Sequence, residues 1–350
     1  MQDPEDAHDK AIDWGKYLNE SFLKRYINYF YNYENHILNT NVYGINFKNP
    51  VGLAAGFDKN AELIDFLPAL GFGYTEIGSV TARYKFGNEK PRLFRLPKDK
   101  AVINRMGLNS LGAKMICENL RNAKHEIPVG VNITKTHDPN MNLDEAKNDI
   151  IHTFREVYKF ADYITLNISC PNTKENKTFE DPKTLDEIIY ALRFTELRIG
   201  PEKPVFVKLS PDLAYERLDS ILSICEYHGI QGYVVGNTTS FRQNLCTSQK
   251  ELETIGQGGL SGLPIKKRST EMIKYVYRRL NKPIIIGVGG IMSAEDAYEK
   301  ICVGASLVQI LTGLVYEGPG LVKSINKGLV RLLEKDGFKS LNDAVGSKNQ

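Results

Sequence analysis

The run NISCPNT (167–173) places a thiol where a β-like stretch, residues 163–169, meets a proline and a polar loop. A thiol, with a reference pKa near ~8.5, is a usable proton acceptor near neutrality. Serine in the same place would need stronger activation. The plain alternative is a small buried hydrophobe, the commonest fate of an unpaired cysteine. The setting of Cys170 argues for chemistry. It follows Asn167, precedes Pro171 and opens TKENKTFED (173–181), a loop with few apolar anchors that reads as a water-excluding lid. No histidine ends a β-like run, and His137 reads as a loop residue. Cys117, Cys225, Cys246 and Cys302 read as structural.

Polar side chains and glycines recur at the ends of similar runs. Lys59 follows Ala55 and Gly56, Ser79 follows Gly78, and Asn132 lies inside its run. Lys208 and Ser210 share a face of another run, and Asn237 and Thr238 close a further one. Alternation along a strand also puts Thr165, Asn167 and Ser169 on one face. Singly, such residues are turn formers or solvent-facing charges. Pointing inward together, they would each cost roughly a few kcal/mol unless paired. A planar ligand rich in donors and acceptors pairs them. GVGG (287–290), before a helix start at Ser293, offers bare N–H groups suited to phosphate. GQGGLSG (256–262), before another helix, offers a second close approach of backbone. Joined to Lys59, Asn132 and Lys208, these loops point to a phosphate-bearing cofactor with a polar planar ring.

The elements that must position these groups follow from periodicity. Eight β-like runs, at 50–56, 74–79, 129–135, 163–169, 205–210, 232–238, 284–290 and 306–312, alternate with helical patterns. Thr184 with Glu187, after Pro182, reads as a capping box, and Ser293 with Asp296 as another. Eight strand–helix units over about 250 residues specify a (β/α)8 TIM barrel, whose active site lies at the C-terminal strand ends. A doubly wound sheet is the runner-up. An insert at 80–108 contains a small hairpin, with 93–96 and 101–104 flanking 97–100. Residues 1–40 read as a separate N-terminal helical extension rich in aromatics, and residues 41–350 as the barrel.

Bulk properties exclude several classes. The chain has 350 residues, 42% hydrophobic and 25% charged, which suits a globular protein with a large core. A net charge of +3 gives no nucleic-acid footprint. Five scattered cysteines argue against a zinc ribbon or a disulfide framework and fit a reducing compartment. No metal site is expected. No apolar run approaches the ~18 residues of a membrane span, and MQDPEDAHDK reads as neither signal nor transit peptide.

Several stretches closely resemble the dihydroorotate dehydrogenases, in order and with fitting spacing from about residue 42 onward. They are NPVGLAAGFDKN (49–60), GFGYTEIGSVT (71–81), KPRLFRLP (90–97), INRMGLN (103–109), NISCPNT, VKLSPDL (207–213), GNTT (236–239), GGLSG (258–262), and GVGGI with GASLVQ. PEDAH (4–8) resembles the helical extension of the quinone-using, membrane-associated class. The resemblance implies an FMN enzyme that oxidises dihydroorotate to orotate in pyrimidine synthesis and passes electrons to ubiquinone or menaquinone. It implies FMN contacts at Ala55, Gly56, Lys59, Ser79, Asn132, Asn167, Lys208, Gly236, Gly259, Gly289, Gly290, Leu311 and Thr312, with Gly289 and Gly290 at the phosphate. Substrate would meet Lys59, Asn104, Arg105, Met106, Gly107, Leu108, Asn109, Asn167, Asn237 and Thr238. Amide side chains suit a pyrimidine because each both donates and accepts. Cys170 would be the base, at a position where the quinone class usually has serine and the soluble class cysteine. Gly236 and Leu311 stand where some relatives carry threonine and tyrosine. His8 and Arg95 would flank a quinone tunnel. The resemblance further implies a monomer held peripherally at the cytoplasmic face of the cell membrane, or at the mitochondrial inner membrane in a eukaryote.

Competing readings remain at this stage. Cys170 fits a soluble relative that reduces fumarate or a partner flavoprotein. A tRNA dihydrouridine synthase would need a basic RNA-binding domain. A flavin-free barrel could use Lys59 or Lys208 as a Schiff base in aldol chemistry. A catalytically inert binding module would have no reason to carry all these strand-end groups.

Overall fold

Strands buried on both faces read as nearly unbroken apolar runs, and those runs order this chain. The computed structural model describes residues 3–169 and 179–349. In chain order its strands are β1 (Thr40–Val42), β2 (Ile45–Phe47), β3 (Val51–Leu53), β4 (Tyr74–Val80), β5 (Leu93–Leu96), β6 (Ala101–Asn104), β7 (Val129–Ile133), β8 (Tyr163–Asn167), β9 (Val205–Leu209), β10 (Gly232–Val235), β11 (Gly259–Gly262), β12 (Ile284–Val288) and β13 (Leu307–Ile310). Among the described residues, β3, β4, β7, β8, β9, β10, β12 and β13 pair in parallel and close into one barrel. Helices cover its outside, so the fold is the expected (β/α)8 barrel. Seven of the eight barrel strands stop earlier than the sequence suggested, whereas β4 runs one residue further, to Val80. Val51–Leu53 is the shortest barrel strand, followed by Gly232–Val235 and Leu307–Ile310, and the glycine-rich and polar residues beyond them form the mouth loops.

The barrel interior is graded from apolar to polar. At the bottom, Tyr74, Tyr163, Phe206, Val234, Ile286 and Leu307 pack with Val42 and Phe47 of the antiparallel β1–β2 hairpin, which plugs that end. Gly52 and Gly130 are required here. A Cβ on Gly52 would lie 2.3 Å from Tyr74 Cζ, and one on Gly130 2.1 Å from Tyr163 Cζ. One turn higher, the inward residues are Glu76, Asn132, Thr165, Lys208 and Gln309, all buried.

Local structure refines the sequence reading at several segments. The helix Pro182–Ile199 is capped by Asp181, whose carboxylate accepts from Thr184 N, so Thr184 is a buried first-turn residue and not the cap. GQGGLSG is more than a turn: Gly259–Gly262 is β11, pairing with β6 of the β5–β6 hairpin in a three-stranded sheet beside the mouth. Of the loop TKENKTFED, residues 173–178 lie outside the described residues, and Phe179 is buried. Ser293 caps its helix, accepting from Asp296 N at 3.2 Å, but the expected box is not closed, because the Asp296 carboxylate accepts from Met292 N at 2.9 Å.

Two helices precede the hairpin. In α1 (Pro4–Glu20), Pro4 occupies the first turn and Asp3 accepts from Glu5 N at 2.8 Å. Its inner face packs Ile12 into the core and sets Gly15 against Leu63 and Phe66. In α2 (Leu23–Tyr31) no residue is buried. Phe22, Tyr26, Tyr29 and Phe30 are all more than half exposed. Among the described residues, no helix is long and apolar enough to cross a membrane.

Candidate active site

Glu76, in the middle of β4, organises the mouth and escaped the sequence reading. It is fully buried. Its carboxylate accepts from Asn132 Nδ2 at 2.9 Å, Thr165 Oγ1 at 3.0 Å and Gln309 Nε2 at 3.0 Å, with Lys208 Nζ at 4.0 Å. Burial pulls the Lys208 pKa below the usual lysine range, and the Glu76 charge opposes that. A line of hydrogen bonds runs from this anion to the rim. Asn237 Nδ2 donates to Ser169 Oγ (2.6 Å), Ser169 Oγ to Asn167 Oδ1 (2.9 Å), Asn167 Nδ2 to Ser79 Oγ (3.3 Å), and Ser79 Oγ to Asn132 Oδ1 (2.5 Å). Every donor points toward Glu76. An acceptor-only group at the end of the line therefore fixes the orientation of each amide and hydroxyl in it. The signal available in sequence was parity: Glu76 shares the inward face of its strand with Tyr74.

The first mouth loop is set by Asp58, which accepts from Glu62 N and Leu63 N, both at 2.8 Å, while its own carbonyl receives Gly78 N. Burial pushes the Asp58 pKa up to about 6 and pulls the neighbouring Lys59 down to about 8. A Cβ on Gly56 (φ +106°) would lie 3.5 Å from Leu311, so the ends of β3 and β13 meet. At Gly236, with φ +118°, a Cβ would come 2.1 Å from Val288 O, so this chain's backbone requires glycine there. A Cβ on Gly259 would collide with Thr238, so β11 closes directly over the β10 loop. Thr312 Oγ1 lies 2.8 Å from Ser261 Oγ of β11.

The glycines after β12 form a cradle. Gly289 and Gly290 have φ of +117° and +69°, and a Cβ on Gly290 would lie 2.5 Å from Lys266 Cβ. On the opposite rim, Asn104 donates to Gly259 O at 3.4 Å. Asn109 Oδ1 is buried with no hydrogen-bond partner among the described residues. An orphaned amide oxygen, amides held in one orientation, buried Lys208, half-buried Lys59 and a side-chain-free cradle fit a planar, phosphate-bearing heterocycle. A cavity of about 370 Å³ opens between Ser169, Ser210, Asn237 and Thr238, with Glu180 and Asp212 on its outer wall.

Not every predicted residue faces this space. Arg105 reaches away, donating to Ile255 O, Gln257 O and Pro91 O while its guanidinium lies 4.5 Å from the Phe94 ring. Met106, Gly107 and Leu108 form a turn against Asn88, with Met106 O accepting from Asn88 N. His8 stacks edge-on against Phe57 at 4.8 Å, and burial and the Lys59 charge pull its pKa down to about 4. Arg95 lies on β5, near Tyr316. Cys170 lies outside the described residues. Cys117, Cys225 and Cys302 are buried, whereas Cys246 is exposed. Sequence reading also missed the clamp that seats α1. Buried Glu5 receives Arg92 Nη2 at 2.7 Å and Nε at 3.1 Å, and Arg92 Nη1 donates to Phe86 O and Asn88 O.

Fold and site together define a (β/α)8 barrel whose mouth joins a pair of positive-φ glycines to a one-way line of hydrogen-bond donors. Residues 37–333 match the family model described as dihydroorotate dehydrogenase. A dihydroorotate dehydrogenase (quinone) of Gloeobacter violaceus is 40% identical over 98% of this chain and 95% of its own length. One from Natronomonas pharaonis is 45% identical over 88% of this chain and 85% of its own. The crystal structure of DHODH from Eimeria tenella in complex with ferulenol superposes with a TM-score of 0.89 at 34% identity, covering 100% of this chain and 96% of that one. The chain belongs to the dihydroorotate dehydrogenase family, flavin-dependent oxidoreductases that convert dihydroorotate to orotate in pyrimidine synthesis. The aldolase and RNA-modifying readings fall away with that membership.

Proposed function

We propose that this chain oxidises dihydroorotate with FMN as its flavin and a quinone, ubiquinone or menaquinone, as its electron acceptor. The observation that carries the reading is the one-way line of donors from Asn237 to Glu76, flanked by Lys59, Lys208 and the Gly289 and Gly290 cradle. FMN supplies the acceptor for the hydride leaving C6. Ala55, Gly56, Ser79, Asn132, Lys208, Gly236 and Gly259 hold its ring and chain, and Gly289, Gly290, Leu311 and Thr312 its phosphate. Asn104, Asn109, Asn167, Asn237 and Thr238 hold the pyrimidine and its carboxylate. Lys59 supplies positive charge where electron density collects. Cys170, the residue after Ser169, takes the C5 proton as thiolate.

Residues 1–40 act as a quinone- and membrane-facing module on the barrel of residues 41–350, with His8 and Arg95 along the path. Support comes from the exposed aromatics of α2 beside Lys24 and Arg25, and from an apolar groove of about 470 Å³ lined by Leu18, Leu23, Tyr26, Ile27, Phe30 and Tyr31. The chain works as a monomer attached peripherally to the cytoplasmic face of the cell membrane, or to the mitochondrial inner membrane in a eukaryote. The full chain should be yellow and be bleached anaerobically by dihydroorotate, then reoxidised by a quinone analogue in preference to fumarate or NAD+. Deleting residues 1–38 should abolish quinone turnover and spare bleaching. Quinone turnover that survives the deletion would move the acceptor to the soluble class.

A further inference from the structure

Behind the Gly289 and Gly290 turn lies a lysine that nothing described so far requires. Lys300, in the helix Ala294–Cys302, is fully buried. Its Nζ donates to Ser269 Oγ at 2.9 Å, Thr270 Oγ1 at 3.0 Å and Lys266 O at 3.4 Å. Three acceptors match the three N–H bonds of an ammonium. Ser269 spends its own hydrogen on Val288 O (2.6 Å) and Thr270 spends its hydrogen on Lys266 O (3.0 Å), so both hydroxyls offer Lys300 only lone pairs. A neutral amine would face them with a lone pair that nothing satisfies.

This charge has no carboxylate partner among the described residues. The acidic neighbours on its own helix, Asp296 and Glu299, pair instead with Lys266, at 2.5 and 3.3 Å. A buried cation without a counter-charge is costly, and burial pulls the Lys300 pKa down to about 7 against the opposing charges of Glu299 and Asp296. Its location indicates what compensates it. The Ser269 relay ends on Val288 O, one residue before the cradle. A Cβ on Gly287 would lie 3.5 Å from Lys300 Cδ, and a Cβ on Gly289 3.3 Å from Ser269 Cβ. Lys300 therefore stands directly behind the loop whose N–H groups are offered to an anion.

We propose that Lys300 is a positioning residue for the cofactor phosphate, its buried ammonium giving the dianion at Gly289 and Gly290 the counter-charge that Lys300 itself lacks in the protein. The inference rests on the FMN reading, and its test separates the two. Full-length wild type and Lys300→Met are equilibrated with FMN and riboflavin in competition, and the bound flavins are extracted and quantified. The two ligands share the ring and ribityl chain and differ in the phosphate. Loss of the buried charge should lower the FMN-over-riboflavin preference by roughly tenfold or more, with riboflavin binding itself unchanged. A purely structural role would weaken both flavins alike and leave the ratio intact. Should the Met variant fail to accumulate, Lys300→Gln removes the charge and keeps two donors, and the same fall is expected. An unchanged ratio in a folded variant overturns the inference, whereas a wild type that shows no preference for FMN overturns the cofactor reading instead.

Discussion

Replacing Glu76 by glutamine keeps the shape of the barrel interior and removes the negative charge facing Lys208, which makes the cost calculable. The nearest Glu76 oxygen lies 4.0 Å from Lys208 Nζ. At an effective dielectric of ~20, that attraction is about 4 kcal/mol, in line with the 3–5 kcal/mol usually lost when a buried pair is broken from one side. A partial offset is available. Gln309 Oε1 has no partner in the native network, so the Gln309 amide can turn and receive the new N–H group, recovering about 1 kcal/mol. We therefore expect Glu76→Gln to lower stability by about 3 kcal/mol in urea unfolding followed by circular dichroism, with the slope against urea unchanged. Lys208 should release its proton more readily, because the group that raised its pKa is gone. The decisive measurement is the cycle with Lys208→Met. If the pair is the reason, the double variant should be more stable than the sum of single effects predicts, by roughly 2–3 kcal/mol. Additivity to within about 0.5 kcal/mol would refute the counter-ion argument and reduce Glu76 to a hydrogen-bond acceptor.

Other predictions follow from single positions. Gly290→Val should abolish flavin retention while far-ultraviolet circular dichroism stays that of a folded barrel, because the added carbons enter the Lys266 backbone and the φ is +69°; a fully yellow variant would remove the anion-cradle assignment. Cys170→Ala should slow anaerobic flavin reduction about 10²–10⁴-fold with flavin still bound, and Cys170→Ser should keep part of the rate but need higher pH; an alanine variant at the parental rate would return the thiol to a packing role. His8 has a folded pKa of about 4 against a reference of 6.5, so between those values the unfolded chain holds more protons. Stability should thus fall as pH drops through that window, and His8→Phe should flatten this segment of the pH–stability curve; an identical slope in the variant would mean that His8 does not titrate as its burial requires.

Short apolar, β-rich runs that alternate with helical patterns are a local property, and they were enough to specify eight strands, their alternation with helices and the barrel they close. The glycines of GVGG and the amides at 167 and 237 stood out only as a set, since each alone reads as a turn former; the structure brings Asn237 and Asn167 into one hydrogen-bonded line through Ser169. Strand lengths were not legible, because a polar residue just past a strand looks the same whether it extends the ladder or turns into the mouth. Arg105 shows the limit most plainly: the family resemblance implied a substrate contact, yet the backbone carbonyls of Ile255, Gln257 and Pro91 claim its guanidinium. Glu76 and Lys300 went unseen for the opposite reason. Each sits inside an element whose pattern reads as ordinary strand or helix, and its meaning comes from partners 56 to 233 residues away for Glu76 and about 30 for Lys300. Periodicity tells which way a side chain points, but whether a buried charge there meets a counter-charge, a relay or a ligand depends on which strands close beside it, and only the tertiary structure decides that.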